Sequence, residues 1–183
     1  MSIEAFDSVL AAAQAGAEWA LTILYRELHP RVLRYLSARE RVEAEDVASE
    51  VWLDVASGLH RFEGDEAGFR AWVFTIARRR LLDLRRRAAV RKTTPTPHEM
   101  LGDRGIGNVE EEALAALGTD EALAWIADLS PDQADVVLLR VLGDLSVGEV
   151  AAIVHKRPGA VRALQHRALR KLARTVSREL VTE

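Results

Sequence analysis

Apolar positions in the first half of the chain recur every three or four residues: Leu21, Leu24, Leu28, Val32 and Tyr35/Leu36, then Val47, Val51, Trp52 and Val55 up to Gly58. With a turn of about 100° per residue, that spacing gathers the apolar side chains into one stripe per segment and predicts amphipathic helices. His60–Gly68 contains two glycines and mixed charges, which predicts a loop. Phe69, Val73, Ile76 and Leu84 then resume the helical step, with Trp72 at the edge of the stripe, over a long helix from Glu66 or Ala67 to Ala89.

The pattern dissolves between Thr93 and Asp120. Thr93-Thr-Pro-Thr-Pro97 is helix-incompatible and Gly102, Gly105 and Gly107 follow, so the stretch reads as a linker, with a short helix at Glu110–Leu117 within it. Beyond it the helix punctuation is sharp. Ser130 is a good N-cap, Pro131 suits a first helical position, and Gly143 is placed to be a left-handed residue after the helix end. Ser146-Val-Gly-Glu149 spells a capping box ahead of a short helix, and His155-Lys-Arg157 makes a turn before a final helix that starts at Pro158. The expected fold is all-α: two small helical domains at 1–92 and 120–183, joined by a flexible linker at 93–119.

Composition and charge refine this. The 183 residues include no cysteine, which excludes disulfides and thiolate-bound zinc. No segment approaches about 20 apolar residues, and the first fourteen lack the form of a signal peptide, so a cytoplasmic protein with no membrane insertion is expected. The net charge of −3 hides a segregation: Arg78–Lys92 holds eight basic residues and one acid, and His155–Arg178 holds eight more and none. The rest of the chain carries nine basic residues against 27 acidic ones. Two cationic segments on an acidic body imply two polyanion contacts and an acidic surface free to meet a protein partner.

On the last helix, Val161, Leu164, Ala168 and Leu172 share one sector, while Arg162, His166, Arg170 and Arg174 run along another with Ala163 and Arg167 beside them. A short helix, a tight turn and a basic second helix make a helix-turn-helix, whose second helix enters the major groove. Arg162 and Arg167 are candidates for guanine edges, and Lys156 and Arg174 for phosphates. In the long first-domain helix, aromatics directly ahead of an arginine run suit single-stranded nucleic acid, since bases stack on rings while arginines follow the backbone. Phe74 is expected in the core, and Trp72 is open between core and strand. The five histidines are dispersed, no phosphate loop or nucleophile elbow is present, and carboxylate pairs such as Glu45-Asp46 read as solvated or partner-facing, so neither enzyme nor cofactor is expected.

Four segments carry a family likeness. Phe69-Arg-Ala-Trp-Val-Phe-Thr-Ile-Ala-Arg-Arg-Arg-Leu-Leu-Asp-Leu-Arg-Arg-Arg87 resembles the promoter-melting region of extracytoplasmic-function sigma factors of RNA polymerase. Ala44–Leu53 is similar to that family's polymerase-binding helix, and Leu129–Ala151 and Pro158–Ala168 to its C-terminal helix-turn-helix. The likeness covers roughly Leu24–Lys92 and Thr119–Ser177.

The resemblance implies a division of labour. The first domain recognises the promoter −10 element and binds core polymerase. Asp46, Val47, Glu50, Val51 and Asp54 dock on the β′ clamp helices. The His60–Gly68 loop, with His60, Arg61 and Phe62, captures a flipped base. Trp72, Arg78, Arg79, Arg80, Asp83 and Arg86 hold the melted strand. The second domain reads the −35 element through Lys156, Arg157, Arg162, Ala163, His166, Arg167, Arg170 and Arg174, next to the β flap. The linker threads polymerase, and an anti-sigma factor is the further partner expected. Ser49, Arg79, Ala163 and the Arg157-Pro158 pair depart from the usual pattern of the family. The alternative within DNA binding is a stand-alone helix-turn-helix regulator.

Overall fold

The computed structural model describes residues 3–92 and 124–179, and the described residues are helical with no strand. In chain order the helices are α1 (Ile3–Gln14), α2 (Glu18–Ser37), α3 (Ala44–Gly58), a 3-10 turn (Leu59–Arg61), α4 (Glu66–Lys92), α5 (Pro131–Val141), α6 (Val147–Val154) and α7 (Pro158–Glu179). The linker and the short helix expected within it lie outside the described residues.

The first four helices pack around the stripes the sequence shows. Leu24, Leu28, Val32, Tyr35 and Leu36 of α2 are buried against Val47, Val51 and Val55 of α3 and Phe69, Val73 and Phe74 of α4. Helix α1 adds Phe6, whose ring lies 5.8 Å from that of Phe69. Its last residue, Gln14, donates from Nε2 to the carbonyls of Leu59 (3.0 Å) and Phe62 (2.8 Å), so α1 holds both ends of the 3-10 turn.

The loop is shorter than expected. Helix α4 begins at Glu66, and Gly68 is inside it, because Asp65 caps the helix: its Oδ1 accepts from the Gly68 amide at 2.8 Å. At its far end α4 runs on to Lys92, beyond the Ala89 expected.

In the second unit the expected capping box of Ser146 with Glu149 forms, and the expected N-cap Ser130 makes a second box with Gln133; together they fix where α5 and α6 start. The exit from α5 differs from expectation. Gly143 does not take the left-handed conformation; Asp144 does, at φ 50°. Glycine is required at 143 for closeness instead, since a Cβ there would lie 2.6 Å from the Leu139 carbonyl oxygen and 2.9 Å from Leu145 Cγ. Asp tolerates the left-handed region better than most residues, as does His155 (φ 54°), which makes the turn between α6 and α7.

The two units touch. Helix α6 packs on α4, and one apolar cluster runs from the first unit through Ala77 and Leu81 into Val136, Leu139, Ile153 and Val161 of the second.

Candidate nucleic-acid interface

The α6–turn–α7 unit has the expected polarity. Val161 and Ala168 are fully buried and Leu164 and Leu172 partly so. Arg157, Arg162, Ala163, His166, Arg167, Arg170 and Arg174 are exposed. Among the described residues none of these five arginines forms an ion pair. Lys156 differs: its Nζ lies 2.9 Å from Asp132 Oδ2, tying the turn to the start of α5. Lys171, on another side of α7, donates to the Asp128 carbonyl.

The basic run of α4 is arranged in the opposite way, with most of its arginines held by the protein. Arg80 reaches Asp54 through Nε (2.7 Å) and Nη2 (2.5 Å) and Glu50 through Nη1 (3.0 Å), and Arg79 reaches Asp54 at 2.9 Å. The hydrogen bond from Arg80 holds the Asp54 carboxyl below its usual range, against the smaller opposing effect of burial. Glu50 and Asp54 on α3 and Arg79 and Arg80 on α4, assigned to separate partners by the sequence likeness, therefore form one charge network. Arg85 donates to the Arg39 carbonyl at 2.8 Å. Arg86 pairs with Asp83 at 3.2 Å but stays largely exposed.

Arg78 is the largest departure from a free DNA-facing side chain. Its Nε lies 3.0 Å from Asp135 Oδ2 on α5, and its Nη1 donates to the Ile153 carbonyl on α6 at 3.2 Å. Arg39 approaches the other oxygen of Asp135 at 3.1 Å, close enough for an ion pair although its N–H is not aimed for a hydrogen bond. Asp135 is only 4% exposed. Removing one member of such a buried pair leaves an uncompensated charge and costs about 3–5 kcal/mol. Beside it lies the buried hydroxyl of Tyr35, which has no hydrogen-bond partner among the described residues and whose ionisation is pushed up, first by burial and then by the Asp135 charge. Between α4 and α6 a groove of about 260 Å³ opens, lined in part by Arg78, Arg79, Arg86 and His155.

Trp72 is half-buried. Phe62 stacks on it at 5.2 Å with 27° between planes, Phe69 lies 5.9 Å away, and a Cβ on Gly58 would come within 2.9 Å of its ring. One face is thus covered by Phe62, itself partly buried. His60 and Arg61 are exposed and bond to each other at 3.0 Å. Of the α3 residues expected to meet polymerase, Asp46 is exposed and Glu50 and Asp54 are partly so. Val47 and Val51 are corrected: they are core, at 5% and 0% exposure. The four-residue step from 47 to 51 to 55 follows the inner side of α3, leaving 46, 50, 53 and 54 outside.

Sequence reasoning passed over several residues. Asp135, Arg39, Tyr35 and Gln14 carry the contacts just described, and Trp19, Ile23, Tyr25 and Leu53 form exposed apolar surface on α2 and α3, with Tyr25 stacked on His29 at 4.4 Å. For Asp135 a signal was present: it sits inside the otherwise apolar run Ala134–Leu139.

The chain matches the Sigma-70 region 2 family over residues 24–91 and the Sigma-70, region 4 family over residues 119–172. It is 35% identical over 160 residues to the ECF RNA polymerase sigma factor ShbA of Streptomyces griseus, covering 81% of this chain and 83% of that one. It is likewise 35% identical over 181 residues to SigD of Mycobacterium tuberculosis, covering 94% and 84%. Against BldN of Streptomyces coelicolor the identity is 34% over 164 residues, and the match spans 88% of this chain but 62% of that longer protein. Among solved structures the fold is shared with CnrH, seen in complex with the cytosolic domain of CnrY, at a TM-score of 0.66 and 19% identity over 94% of this chain and 97% of that one. It is shared also with RpoE of Bartonella quintana in complex with the anti-sigma factor NepR, at 0.64 and 18% over 85% and 96%.

Proposed function

The chain belongs to the extracytoplasmic-function sigma factors of RNA polymerase, which are transcription initiation factors rather than enzymes, and from that premise we propose how its surfaces divide the work. Residues 1–92 act as region 2, 93–119 as the linker and 120–183 as region 4. Arg157, Arg162, Ala163, His166, Arg167 and Arg170 read the −35 element, with Lys156 and Arg174 on phosphates. His60, Arg61, Phe62, Trp72 and the α4 arginines 78, 79, 80 and 86, with Asp83, engage the −10 element and the opened strand. Asp46, Glu50 and Asp54, joined by exposed Leu53, dock on the β′ clamp helices of core polymerase, and region 4 lies at the β flap. The protein works in the cytoplasm, where polymerase is, and an anti-sigma factor binds it as NepR binds the RpoE of Bartonella quintana.

The carrying observation is the contrast between the two basic segments. Arg162, Arg167, Arg170 and Arg174 of α7 stand exposed, with no ion pair among the described residues, at the second helix of a helix-turn-helix, which suits sequence reading in duplex DNA. Arg79 and Arg80 of α4 are tethered to acids that link them to the α3 face, which suits contacts made only once polymerase has docked there. The test is in vitro transcription with core polymerase from a genomic promoter library. Defined start sites that appear only when this protein is added support the reading. Tight sequence-specific duplex binding by the free protein, with no effect on initiation, overturns it in favour of a stand-alone regulator.

A further inference from the structure

The loop given above to base capture is held from outside the part of the chain that matches the family. Helix α1 ends at Gln14, ahead of the residues 24–91 that match Sigma-70 region 2. That helix end is fixed on both sides. Phe6, Val9, Leu10 and Ala13 before it are buried in the core of the first unit. After it the chain turns at Gly16, whose φ of 87° is open to glycine at little cost. The Ala17 amide then meets the Ala12 carbonyl at 2.9 Å and the Gly16 amide the Ala13 carbonyl at 3.0 Å, the double bond pattern that stops a helix sharply. A side chain at position 14 therefore starts from a defined place.

The Gln14 amide has two N–H donors, and both go to one turn: to the Leu59 carbonyl at 3.0 Å and the Phe62 carbonyl at 2.8 Å. The Phe62 amide closes the same turn on the Leu59 carbonyl at 3.0 Å. The two gripped carbonyls bracket His60 and Arg61, which are exposed. At the far end the Phe62 ring stacks on Trp72 and stands edge-on to Phe69, at 5.4 Å and 77°. Without the amide, the turn keeps its ring contacts and its own closing bond but loses its tie to α1.

We propose that Gln14 is a positioning residue for promoter opening: it touches no nucleic acid, and by gripping both ends of the 3-10 turn it holds His60, Arg61 and Phe62 ready to receive a flipped −10 base. The base-capture half rests on the role given above to that loop; the grip rests on the two hydrogen bonds. A turn ordered in advance spares the incoming base the cost of ordering it.

Two substitutions separate the grip from mere packing. Gln14→Met keeps the length of the side chain and removes both donors, while Gln14→Glu keeps its shape and aims an acceptor at two carbonyls. Two readouts are taken on the full chain. One is hydrogen exchange of the free protein by mass spectrometry, followed in the peptide over residues 59–65. The other is transcription with core polymerase from promoters changed at each −10 position in turn and at the −35 element. Exchange in the turn should quicken about tenfold in Gln14→Met, from the loss of two hydrogen bonds of ordinary net worth, and further in Gln14→Glu. Preference for the captured base should fall about three- to tenfold at one −10 position, because only the preferred base uses the formed turn and less of the protein now has it formed. Preference at the −35 element should stay as in the parent.

Exchange equal to the parent's in both variants overturns the grip. Faster exchange with unaltered −10 preference overturns the positioning role. So does a loss spread evenly over the −10 and −35 positions, which is what a general weakening of the fold produces. Should Gln14→Glu fail to fold by circular dichroism, Gln14→Met decides by the same two readouts. A parent that directs no initiation overturns the sigma-factor reading and the base-capture half with it, while the exchange result decides the grip by itself.

Discussion

Arg80 grips Asp54 with two nitrogens, at 2.7 and 2.5 Å, across the α3–α4 contact, and directs a third at Glu50 at 3.0 Å. Both side chains of the main pair are about one-quarter exposed, which keeps water from screening it fully. A fork-to-carboxylate geometry in a partly dry site is stronger than an ordinary surface pair. Asp54→Ala and Arg80→Ala should each destabilise the first unit by about 1–2 kcal/mol, with a coupling near 1 kcal/mol in the double-mutant cycle. The Asp83–Arg86 pair, exposed on one helix, should show about 0.3 kcal/mol or less. Urea denaturation measures both. The sign with pH follows from Asp54. Its folded carboxyl ionises at lower pH than the unfolded one, so its contribution is complete above the normal carboxylate range and is lost as pH falls through the depressed value. Arg80→Ala should flatten that acid limb.

Two glycines of the second unit should respond oppositely to the same change. Gly143→Ala puts a methyl 2.6 Å from the Leu139 carbonyl and against Leu145, both fixed in the core, and should cost about 1–3 kcal/mol. Gly159, in the first turn of α7, has open space where a Cβ would go, with nothing within 4 Å, and no positive φ. Gly159→Ala should stabilise by about 0.4–1 kcal/mol through the unfolded chain. Thermal unfolding of the two variants tests the pair. A loss at 159 equal to that at 143 would deny the open space seen there.

How much of this was legible in the sequence depended on whether a residue's role was local. The N-cap at Ser130, the capping box at Ser146 and the Pro158 helix start are written in neighbouring residues, and they formed as the sequence predicts. The α7 stripe is equally local, since Val161 and Ala168 declare it by spacing. Gly143 shows the limit: glycine marks a backbone need, but not whether that need is a positive φ or a close approach. Val47 and Val51 show another, because a likeness naming a helix as a partner surface does not say which side of it is inside. Gln14, and the partners of Asp135 if not its burial, were beyond reach for a different reason. Their partners lie 45 or more residues away, and a polar side chain on a helix looks solvated until the fold brings its partner to it.

Tyr35 offers a test of the buried charge cluster. Its hydroxyl is buried with no hydrogen-bond partner among the described residues, and both burial and Asp135 disfavour its anion. Removing an unpaired buried hydroxyl removes a penalty rather than a bond, so Tyr35→Phe should leave stability unchanged or raise it by about 1 kcal/mol. The pH sign is the reverse of that for Asp54. A phenol whose folded value is raised contributes fully below its unfolded value of about 10 and loses that contribution as pH rises beyond it. The parent should therefore weaken above about pH 10 more steeply than Tyr35→Phe, as read by denaturation at about pH 9 to 11. Equal alkaline slopes would mean that the hydroxyl reaches water.

The recognition helix separates base reading from backbone contact by position along its axis. Arg162 lies in the second turn of α7, Arg167 about one and a half turns further, and Arg174 about two turns beyond that; all three are exposed. Base edges are read by the N-terminal turns of such a helix, while later turns lie over phosphates. Arg162→Ala and Arg167→Ala should each cost about 1–3 kcal/mol at promoters with a matched upstream element and far less at mismatched ones. Arg174→Ala should weaken use of all promoters evenly and lower the slope of log K against log salt by about one phosphate's worth. Because none of the three pairs with an acid among the described residues, their loss leaves no carboxylate stranded, and any change in transcription reports DNA contact rather than folding. Transcription from matched and mismatched elements at several salt concentrations distinguishes the outcomes. If Arg174→Ala altered sequence preference while Arg162→Ala did not, α7 would have to enter the groove from its other end.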